Sequence, residues 1–164
     1  MNGRIGGRSP PRCLTDPMTS PEYAPSPTAW VRDQVAAIEA AGDTAAVSLG
    51  GAAVVVLTMR GMRTGALRKV PLMRVEHAGS YAAIGSRGGA PDNPKWVSNL
   101  RAQPDLDLMD GRQTIPMRAR EVSGAERAQW WARAVAVFPD YAEYAVRTER
   151  EFPVFVMEPR TTAD

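Results

Sequence analysis

The chain has few residues of the types that carry reactive chemistry in proteins. Its 164 residues include one cysteine, Cys13, and one histidine, His77. A single cysteine and a single histidine exclude an intramolecular disulfide framework and a zinc cluster. His77 lies in a predicted turn, where no neighbouring residue would orient it for a Ser-His-Asp triad. We expect no metal site, and a bound cofactor would have to supply any difficult chemical step.

Long apolar stretches and a strong excess of charge are also missing. No apolar run reaches the roughly 18 residues of a membrane-spanning helix, and no charged segment followed by an apolar one resembles a signal peptide. The net charge is +2, which is low for a general nucleic-acid binder. We therefore expect a cytoplasmic protein with no nucleic-acid partner.

Proline divides the chain into two parts. Residues 1–27 hold prolines at 10, 11, 17, 21, 25 and 27, and they are rich in Ser, Gly and Arg. This composition predicts a disordered arm. Residues 28–164 are long and apolar enough for one domain with one core.

Four segments have helical patterns. Thr28 is a candidate N-cap, Asp92 or Asn93 another, and Ser123 with Glu126 forms a capping box. Apolar residues that include Trp30 should place the first helix against a sheet. The predicted helices cover residues 28–41, 93–102, 123–137 and 141–148.

Strand patterns alternate with short turns. Glycines at 61 and 65, the sequence His77-Ala78-Gly79 and the sequence Asp110-Gly111 predict hairpins, which favour an antiparallel meander over βαβ crossovers. Pro71 within one strand predicts an edge position or a bulge. The fold class is α+β, a small, partly open antiparallel barrel of about six strands with an N-terminal helix and two inserted helices. The predicted strands cover residues 52–59, 67–76, 80–85, 105–109, 114–122 and 153–157.

Arginine and glycine are concentrated between Leu57 and Leu100. Guanidinium groups bind phosphate and carboxylate in bidentate fashion, and glycine-rich backbone before a helix offers unpaired N–H groups to the same anions. This segment therefore predicts a binding site for an anionic ligand. Its residues are Arg60, Arg63, Arg68, the run Gly85-Ser86-Arg87-Gly88-Gly89 and the helix entry at Asn93-Pro94.

Several motifs, taken in order and spacing, resemble the deazaflavin-dependent nitroreductase family over about residues 51–159. They are Gly61-Met62-Arg63-Thr64-Gly65, Arg68, Pro71-Leu72, Gly85-Ser86-Arg87-Gly88-Gly89, Asn93-Pro94-Lys95-Trp96-Val97-Ser98-Asn99-Leu100 and Phe138-Pro139-Asp140-Tyr141-Ala142-Glu143-Tyr144. The resemblance implies a split β-barrel that binds coenzyme F420, an 8-hydroxy-5-deazaflavin with a phosphate and a polyglutamate tail. It also implies hydride transfer from the reduced coenzyme to a quinone-like or nitroaromatic acceptor.

The resemblance assigns a coenzyme site. Arginines would hold the phosphate and the tail, backbone at Pro71 and Leu72 would face the tricyclic ring, and Trp96 would close the packing. These contacts suit the anionic tail. The implied coenzyme-binding residues are Arg60, Arg63, Arg68, Pro71, Leu72, Ser86, Arg87, Gly88, Gly89, Asn93 and Trp96.

The resemblance also assigns an acceptor site to Met73, Phe138, Tyr141 and Tyr144. A phenol there could hydrogen-bond the acceptor oxygen that gains charge, or donate the proton that follows the hydride. Tyr144 and Tyr141 are therefore candidate catalytic residues, and Ser86 is a third candidate. Relatives often have an aromatic residue at the position of Met73 and a lysine at that of Arg87, so substrate choice does not carry over.

Other functions fit the same residues. One alternative is a split-barrel oxidoreductase that uses flavin mononucleotide, and another is a non-catalytic carrier of coenzyme F420. An apolar acceptor such as a quinone would bring the protein into peripheral contact with the inner face of the membrane. The sequence defines no oligomeric state.

Overall fold

The computed structural model describes residues 22–160, so the predictions for Cys13 and most of the proline-rich arm lie outside the described residues. Within residues 22–160, seven antiparallel strands form one curled sheet in the order β2-β1-β5-β6-β7-β4-β3. The predicted α+β architecture is confirmed, and the strand count is one higher because a two-residue strand precedes β4. The strands are β1 (Val54–Arg60), β2 (Leu67–Met73), β3 (Glu76–His77), β4 (Ser80–Ile84), β5 (Asp105–Asp110), β6 (Gln113–Glu121) and β7 (Val154–Pro159).

In the described part of the chain, four α-helices lie around the sheet, close to the predicted positions. They are α1 (Ala29–Ala41), α2 (Lys95–Ala102), α3 (Gly124–Val137) and α4 (Asp140–Val146). Gly42 ends α1 in the left-handed conformation, with φ of 66°, and its N–H bonds to the carbonyls of Ile38 and Glu39. A glycine adopts this conformation at low cost, which explains why the helix stops there.

Side-chain alternation along β1 divides the apolar residues between two layers. Val55, Leu57 and Met59 point into the curled sheet, where Trp96 and other α2 residues pack against them. Val54 and Val56 point the other way, toward Ile38 of α1. The alternation follows from the two-residue period of a strand, and it fixes β1 between a helix and the interior.

Strand β2 lies at one edge of the sheet, as Pro71 predicts. Its first residue, Leu67, exchanges backbone hydrogen bonds with a short segment before α1: its N–H donates to the carbonyl of Glu22, and its carbonyl accepts from Ala24, both at 2.9 Å. This contact begins six residues before the predicted start of the domain at residue 28. It covers only the first residue of the edge.

A polar cluster joins the segment after β2 to strands β4 and β5. The hydroxyl of Tyr81 donates to Asp110 Oδ2 at 2.6 Å, and Nε of Arg74 donates to the same carboxylate oxygen at 2.9 Å. The guanidinium of Arg74 also lies 5.8 Å from the centre of the Tyr81 ring. These bonds connect elements that are not neighbours in the sheet, so they hold its curvature.

Three local predictions were wrong. Neither Asp92 nor Asn93 caps α2, because Pro94 occupies the cap position and Asn93 Oδ1 accepts a hydrogen bond from Arg150. Ser123 and Glu126 form no capping box, since the Glu126 carboxylate pairs with Arg120. Trp30 is 55% exposed, and Val31, Val35 and Ile38 form the buried face of α1 instead.

Two hairpin boundaries also differ. His77 belongs to β3 and pairs with Ser80, so the turn predicted as His77-Ala78-Gly79 consists of Ala78 and Gly79. Asp110 and Gln113 pair at the ends of β5 and β6, so the turn consists of Gly111 and Arg112. The Asp110-Gly111 motif therefore predicts the hairpin correctly, but the turn begins one residue later than the motif indicates. Because Asp110 stays in its strand, its carboxylate can reach Tyr81.

The Tyr81 hydroxyl gives stability a distinctive pH dependence. Burial and, second to it, the hydrogen bond to Asp110 raise the pKa of Tyr81 from 10.0, the ordinary value for tyrosine, to about 12. A group whose pKa is higher in the folded state stabilises the fold at pH values below its unfolded pKa. This stabilisation is lost as the pH rises through the folded pKa. We therefore expect the free energy of unfolding to fall more steeply between about pH 10 and 12 in the native chain than in Tyr81→Phe. Urea unfolding across this range checks the slope, and parallel curves for the two proteins would contradict it.

Candidate functional site

The loop between β4 and α2, residues 85–94, has the backbone of an anion-binding turn. Ser86 is right-handed, with φ of −76° and ψ of −40°, whereas Arg87, Gly88 and Gly89 follow with φ of 46°, 62° and 82°. A right-handed residue followed by a left-handed one directs successive N–H groups toward a common point. Within residues 22–160, no backbone carbonyl accepts from the amides of Arg87 and Gly88. Two donors are therefore free for an anion.

Gly89 brings this loop against the end of α4. A Cβ placed on Gly89 would lie 2.8 Å from the carbonyl oxygen of Tyr144 and 3.1 Å from Cβ of Arg147. Only glycine combines this close approach with a positive φ. The loop and the aromatic residues of α4 are consequently in direct contact.

Arg150 fixes the shape of the loop. Its guanidinium donates to the carbonyls of Gly85 at 3.0 Å, Ser86 at 3.0 Å and Ala90 at 2.9 Å, and also to Oδ1 of Asn93. Burial lowers the pKa of Arg150. While these carbonyls bond to Arg150, the amides of Arg87 and Gly88 have no backbone acceptor among the described residues.

Arg150 was missed by sequence reasoning. It lies in the polar stretch Thr148-Glu149-Arg150-Glu151, which has neither glycine nor regular spacing. Three of its four partners are backbone carbonyls, which carry no sequence identity. The signal that could have drawn attention to it is weak, namely an arginine two residues before Phe152-Pro153, where the closing strand approaches.

The β1–β2 hairpin carries the other predicted arginines and contacts the same helix. The N–H of Met62 donates to Oδ1 of Asn99 at 2.9 Å, so the hairpin lies on α2, whose opposite end follows the 85–94 loop. Arg60 is half-buried and Arg63 is exposed. Among the described residues, no carboxylate lies within 4.0 Å of Arg60, Arg63 or Arg87.

Arg68 is placed differently from the other arginines. Its Nη1 donates to the carbonyls of Ala24 and Pro25, each at 3.2 Å, and its stem passes Gly61. The guanidinium therefore holds the segment before α1 against the edge strand. An anionic ligand would have to share this group with two carbonyls or displace them.

The residues predicted to face the coenzyme ring lie on the edge strand and in the interior. Pro71 and Leu72 pair with Val56 and Val55 on one side only, because β2 is the edge of the sheet. Trp96 is 7% exposed and packs edge-on against Phe155, with ring centres 5.8 Å apart. Its ring thus belongs mainly to the interior core.

The predicted acceptor residues come together in one apolar cluster. The ring of Phe138 lies 5.1 Å from that of Tyr141 and 6.1 Å from that of Tyr144, and Met73 belongs to the same cluster. Tyr141 is 5% exposed, and burial raises its pKa, whereas Tyr144 is only half-buried. Tyr144 is therefore the phenol that a bound molecule can reach most easily.

Arg147 lies between the loop and the aromatic cluster, and sequence reasoning missed it as well. Its guanidinium carbon is 5.2 Å from the centre of the Tyr144 ring, and its stem passes Gly89. A cation over an aromatic face is attracted by the ring quadrupole. The helical spacing of Tyr144 and Arg147, three residues apart at the end of α4, was the available signal.

The described residues contain neither a metal-binding cluster nor a membrane-spanning helix. No group of three or more His, Cys, Asp or Glu side chains within residues 22–160 is arranged to hold a metal ion. No helix of the described part combines the length and the apolar content needed to cross a bilayer.

Comparison with known proteins matches residues 30–159 to a family described as F420H(2)-dependent quinone reductase. The F420H(2)-dependent quinone reductase Rv1261c of Mycobacterium tuberculosis is 29% identical over 103 residues, which are 61% of this chain and 69% of that protein. Rv3178 of the same organism, named for the same family, is 32% identical over 104 residues, which are 63% of this chain and 87% of that protein.

Several solved structures are also similar to this chain. One described as an F420-H2 dependent reductase (FDR-A) has a TM-score of 0.62 and 45% identity, and the match covers 64% of this chain and 93% of that one. A domain-swapped dimer has a TM-score of 0.65 and 44% identity, with 81% of this chain and 100% of that one covered. The heme storage protein HutZ of Vibrio cholerae, at 15% identity and a TM-score of 0.52, shares the fold alone.

The curled sheet and its structural neighbours define a split-barrel-like oxidoreductase. Since the family model spans nearly all of the described domain, the chain belongs to the F420H(2)-dependent quinone reductase family. Coenzyme F420 is its cofactor, and the protein is an F420H2-dependent enzyme. The resemblance drawn from the sequence is thereby confirmed, and the family does not support the flavin mononucleotide alternative.

Replacing Arg150 should loosen the 85–94 loop. Arg150→Met leaves several carbonyls without their donor, so we expect a loss of about 1 to 3 kcal/mol in the free energy of unfolding and faster amide exchange in residues 85–93. Urea unfolding and hydrogen exchange measure the two effects. Arg112→Ala is the control, because Arg112 is 84% exposed and pairs with Asp43 at the surface. Equal behaviour of the two variants would show that Arg150 does not hold the loop.

Proposed function

We propose that the protein transfers a hydride from reduced coenzyme F420 to a quinone, with the coenzyme's anionic tail held by the 85–94 loop and the acceptor against the aromatic residues of α4. One observation carries this proposal: the free amides of Arg87 and Gly88 lie in a loop that touches Tyr144 through Gly89. A tail site and an acceptor site that share one contact suit a reaction between two bound molecules.

The chemistry of the residues fits the coenzyme's tail. The tail carries a phosphodiester and several carboxylates, whereas Arg60, Arg63 and Arg87 have no carboxylate partner within the described part of the chain. Guanidinium groups and turn amides are the donors that bind such anions most strongly. These three arginines are on the two elements that meet α2, so one extended ligand could contact both.

The edge of β2 supplies backbone groups for the ring of the coenzyme. Residues 68–73 pair with β1 on one side, and no strand of the described chain pairs with them on the other. Pro71 and Leu72 lie in this stretch, and Met73 at its end belongs to the aromatic cluster. A ring seated along this edge would therefore end beside the acceptor residues.

Reduced coenzyme F420, when bound, supplies the hydride. The protein's own residues then have three tasks: to hold donor and acceptor in contact, to exclude water and to stabilise the charge that develops on the acceptor oxygen. The rings of Phe138 and Tyr141 provide an apolar wall for exclusion. The Tyr144 hydroxyl is placed to hydrogen-bond the acceptor oxygen or to donate the proton that follows the hydride.

Nitroaromatic acceptors belong to the same proposal. A nitro group resembles a quinone in presenting an oxygen that gains negative charge on a planar apolar ring, so the same wall and the same phenol would serve both. Peripheral contact with a membrane stays a prediction from the apolar character of quinones.

Arg87→Ala and Arg63→Ala should each weaken coenzyme binding by about 1 to 3 kcal/mol, which corresponds to a rise in Kd of about 5-fold to 150-fold, because each removes a charge-assisted contact. Fluorescence titration of the protein with coenzyme F420 measures the Kd. Arg118→Ala is the matched control, since Arg118 pairs with Asp105 and is 68% exposed. Binding that is unchanged in both variants would remove the tail from this site.

Tyr144→Phe should lower turnover of reduced coenzyme F420 with a quinone by about 10²-fold or more, while the Kd for the coenzyme changes little. The phenol acts on the acceptor oxygen, so its loss affects the reaction and not the binding of the tail. Steady-state absorbance of the deazaflavin with menadione, and then with a nitroaromatic compound, measures the rates. Turnover equal to that of the native chain would exclude the proposed role of the hydroxyl.

A further inference from the structure

A tight turn between α1 and β1 lies against the aromatic cluster. Leu49 and Ala52 exchange backbone hydrogen bonds of 3.1 and 2.9 Å, and the turn between them consists of Gly50 and Gly51, with φ of 56° and 80°. Both values require the left-handed backbone that glycine adopts at low cost. Leu49 and Ala52 are half-buried and pack on the cluster that contains Phe138 and Tyr141.

The two glycines differ in what lies next to them. A Cβ on Gly50 would come within 2.9 Å of Cε2 of Phe138 and within 3.7 Å of Cζ. A Cβ on Gly51 would meet no atom of residues 22–160 within 4 Å. The Phe138 ring therefore occupies the space in which a side chain at position 50 would lie, whereas no atom of the described residues occupies the corresponding space at Gly51.

The Phe138 ring in turn lies against both tyrosines. It packs edge-on against Tyr141, with planes at 83°, and tilted against Tyr144, with planes at 58°. The backbone of Phe138 is held at the end of α3, where its N–H bonds to Ala134 and its carbonyl accepts from Tyr141. Any adjustment to a side chain at position 50 thus falls on the ring and not on the backbone.

We infer that Gly50 is a specificity-determining position of this enzyme: by leaving room for the Phe138 ring, it sets the position of the aromatic wall against which the electron acceptor binds. This inference rests on the proposed assignment of Phe138 and Tyr144 to the acceptor site. The three atoms nearest to a Cβ at position 50 all belong to the Phe138 ring, so Gly50 acts through that ring. A larger residue at position 50 displaces the ring and thereby changes the space for a planar acceptor.

The test compares Gly50→Ala with Gly51→Ala. Both substitutions put a side chain on a left-handed residue of the same turn, so both carry the backbone strain, and only the first meets the Phe138 ring. We expect the KM for menadione to rise roughly tenfold in Gly50→Ala relative to Gly51→Ala, the lower end of the effect of one methylene in an apolar pocket. The Kd for coenzyme F420 should be the same in the two variants.

A second background separates contact from strain. Leucine lacks the far atoms of the phenylalanine ring, so in Phe138→Leu the substitutions at positions 50 and 51 should have equal effects, and the double-mutant cycle isolates the ring contact. Binding of menadione to the coenzyme-free protein, followed by quenching of tryptophan fluorescence, provides a readout without turnover. It should show the same pattern of affinities.

Two results separate an incorrect role for Gly50 from an incorrect position of the acceptor site. If Gly50→Ala and Gly51→Ala give the same menadione affinity and KM, Gly50 does not set the acceptor wall. If Phe138→Leu and Tyr144→Phe both leave menadione binding and turnover unchanged, the acceptor site itself is misplaced. Should either alanine variant fail to fold, Gly50→Asn and Gly51→Asn make the same comparison, because asparagine tolerates positive φ better than other residues with a Cβ.

Discussion

The hydrogen bonds of the Arg150 guanidinium are the interaction on which the site depends. The stretch from the end of β4 to the start of α2 contains left-handed backbone at Arg87, Gly88 and Gly89, which no regular ladder stabilises. A rigid planar donor group satisfies the carbonyls of Gly85, Ser86 and Ala90, whereas the amides of Arg87 and Gly88 have no backbone acceptor among the described residues. A single half-buried guanidinium thereby holds the loop that we propose as the anion site.

The end of α4 links this loop to the rest of the site. The carbonyl of Tyr144 and the stem of Arg147 lie against Gly89, while the Tyr144 ring reaches the cluster formed by Phe138 and Tyr141. In the proposed function, tail binding and acceptor binding therefore both depend on the same short helix. In an enzyme that must hold two molecules in contact, a shared support keeps the distance between their sites constant.

The sequence predicted those features that depend on local physics. Strand periodicity, the edge position of Pro71 and the glycine end of α1 at Gly42 follow from neighbouring residues, and all three are confirmed. Asn93 failed as a helix cap because a distant arginine competes for its oxygen, and Trp30 failed as a core residue because neighbouring positions of α1 face the sheet instead. Arg150 and Gly50 were not identified from the sequence, because their partners are distant along the chain. The partners of Arg150 are mainly backbone carbonyls about 60 residues away, and the partner of Gly50 is the Phe138 ring about 90 residues away.

The arrangement of the coenzyme can be measured directly. A crystal structure of the protein grown with coenzyme F420 should show the phosphate or a tail carboxylate within hydrogen-bond distance of the amides of Arg87 and Gly88, and the ring along the edge of β2 beside Met73. A structure in which the tail binds away from residues 85–94, with those amides facing only solvent, would contradict the site described for this protein.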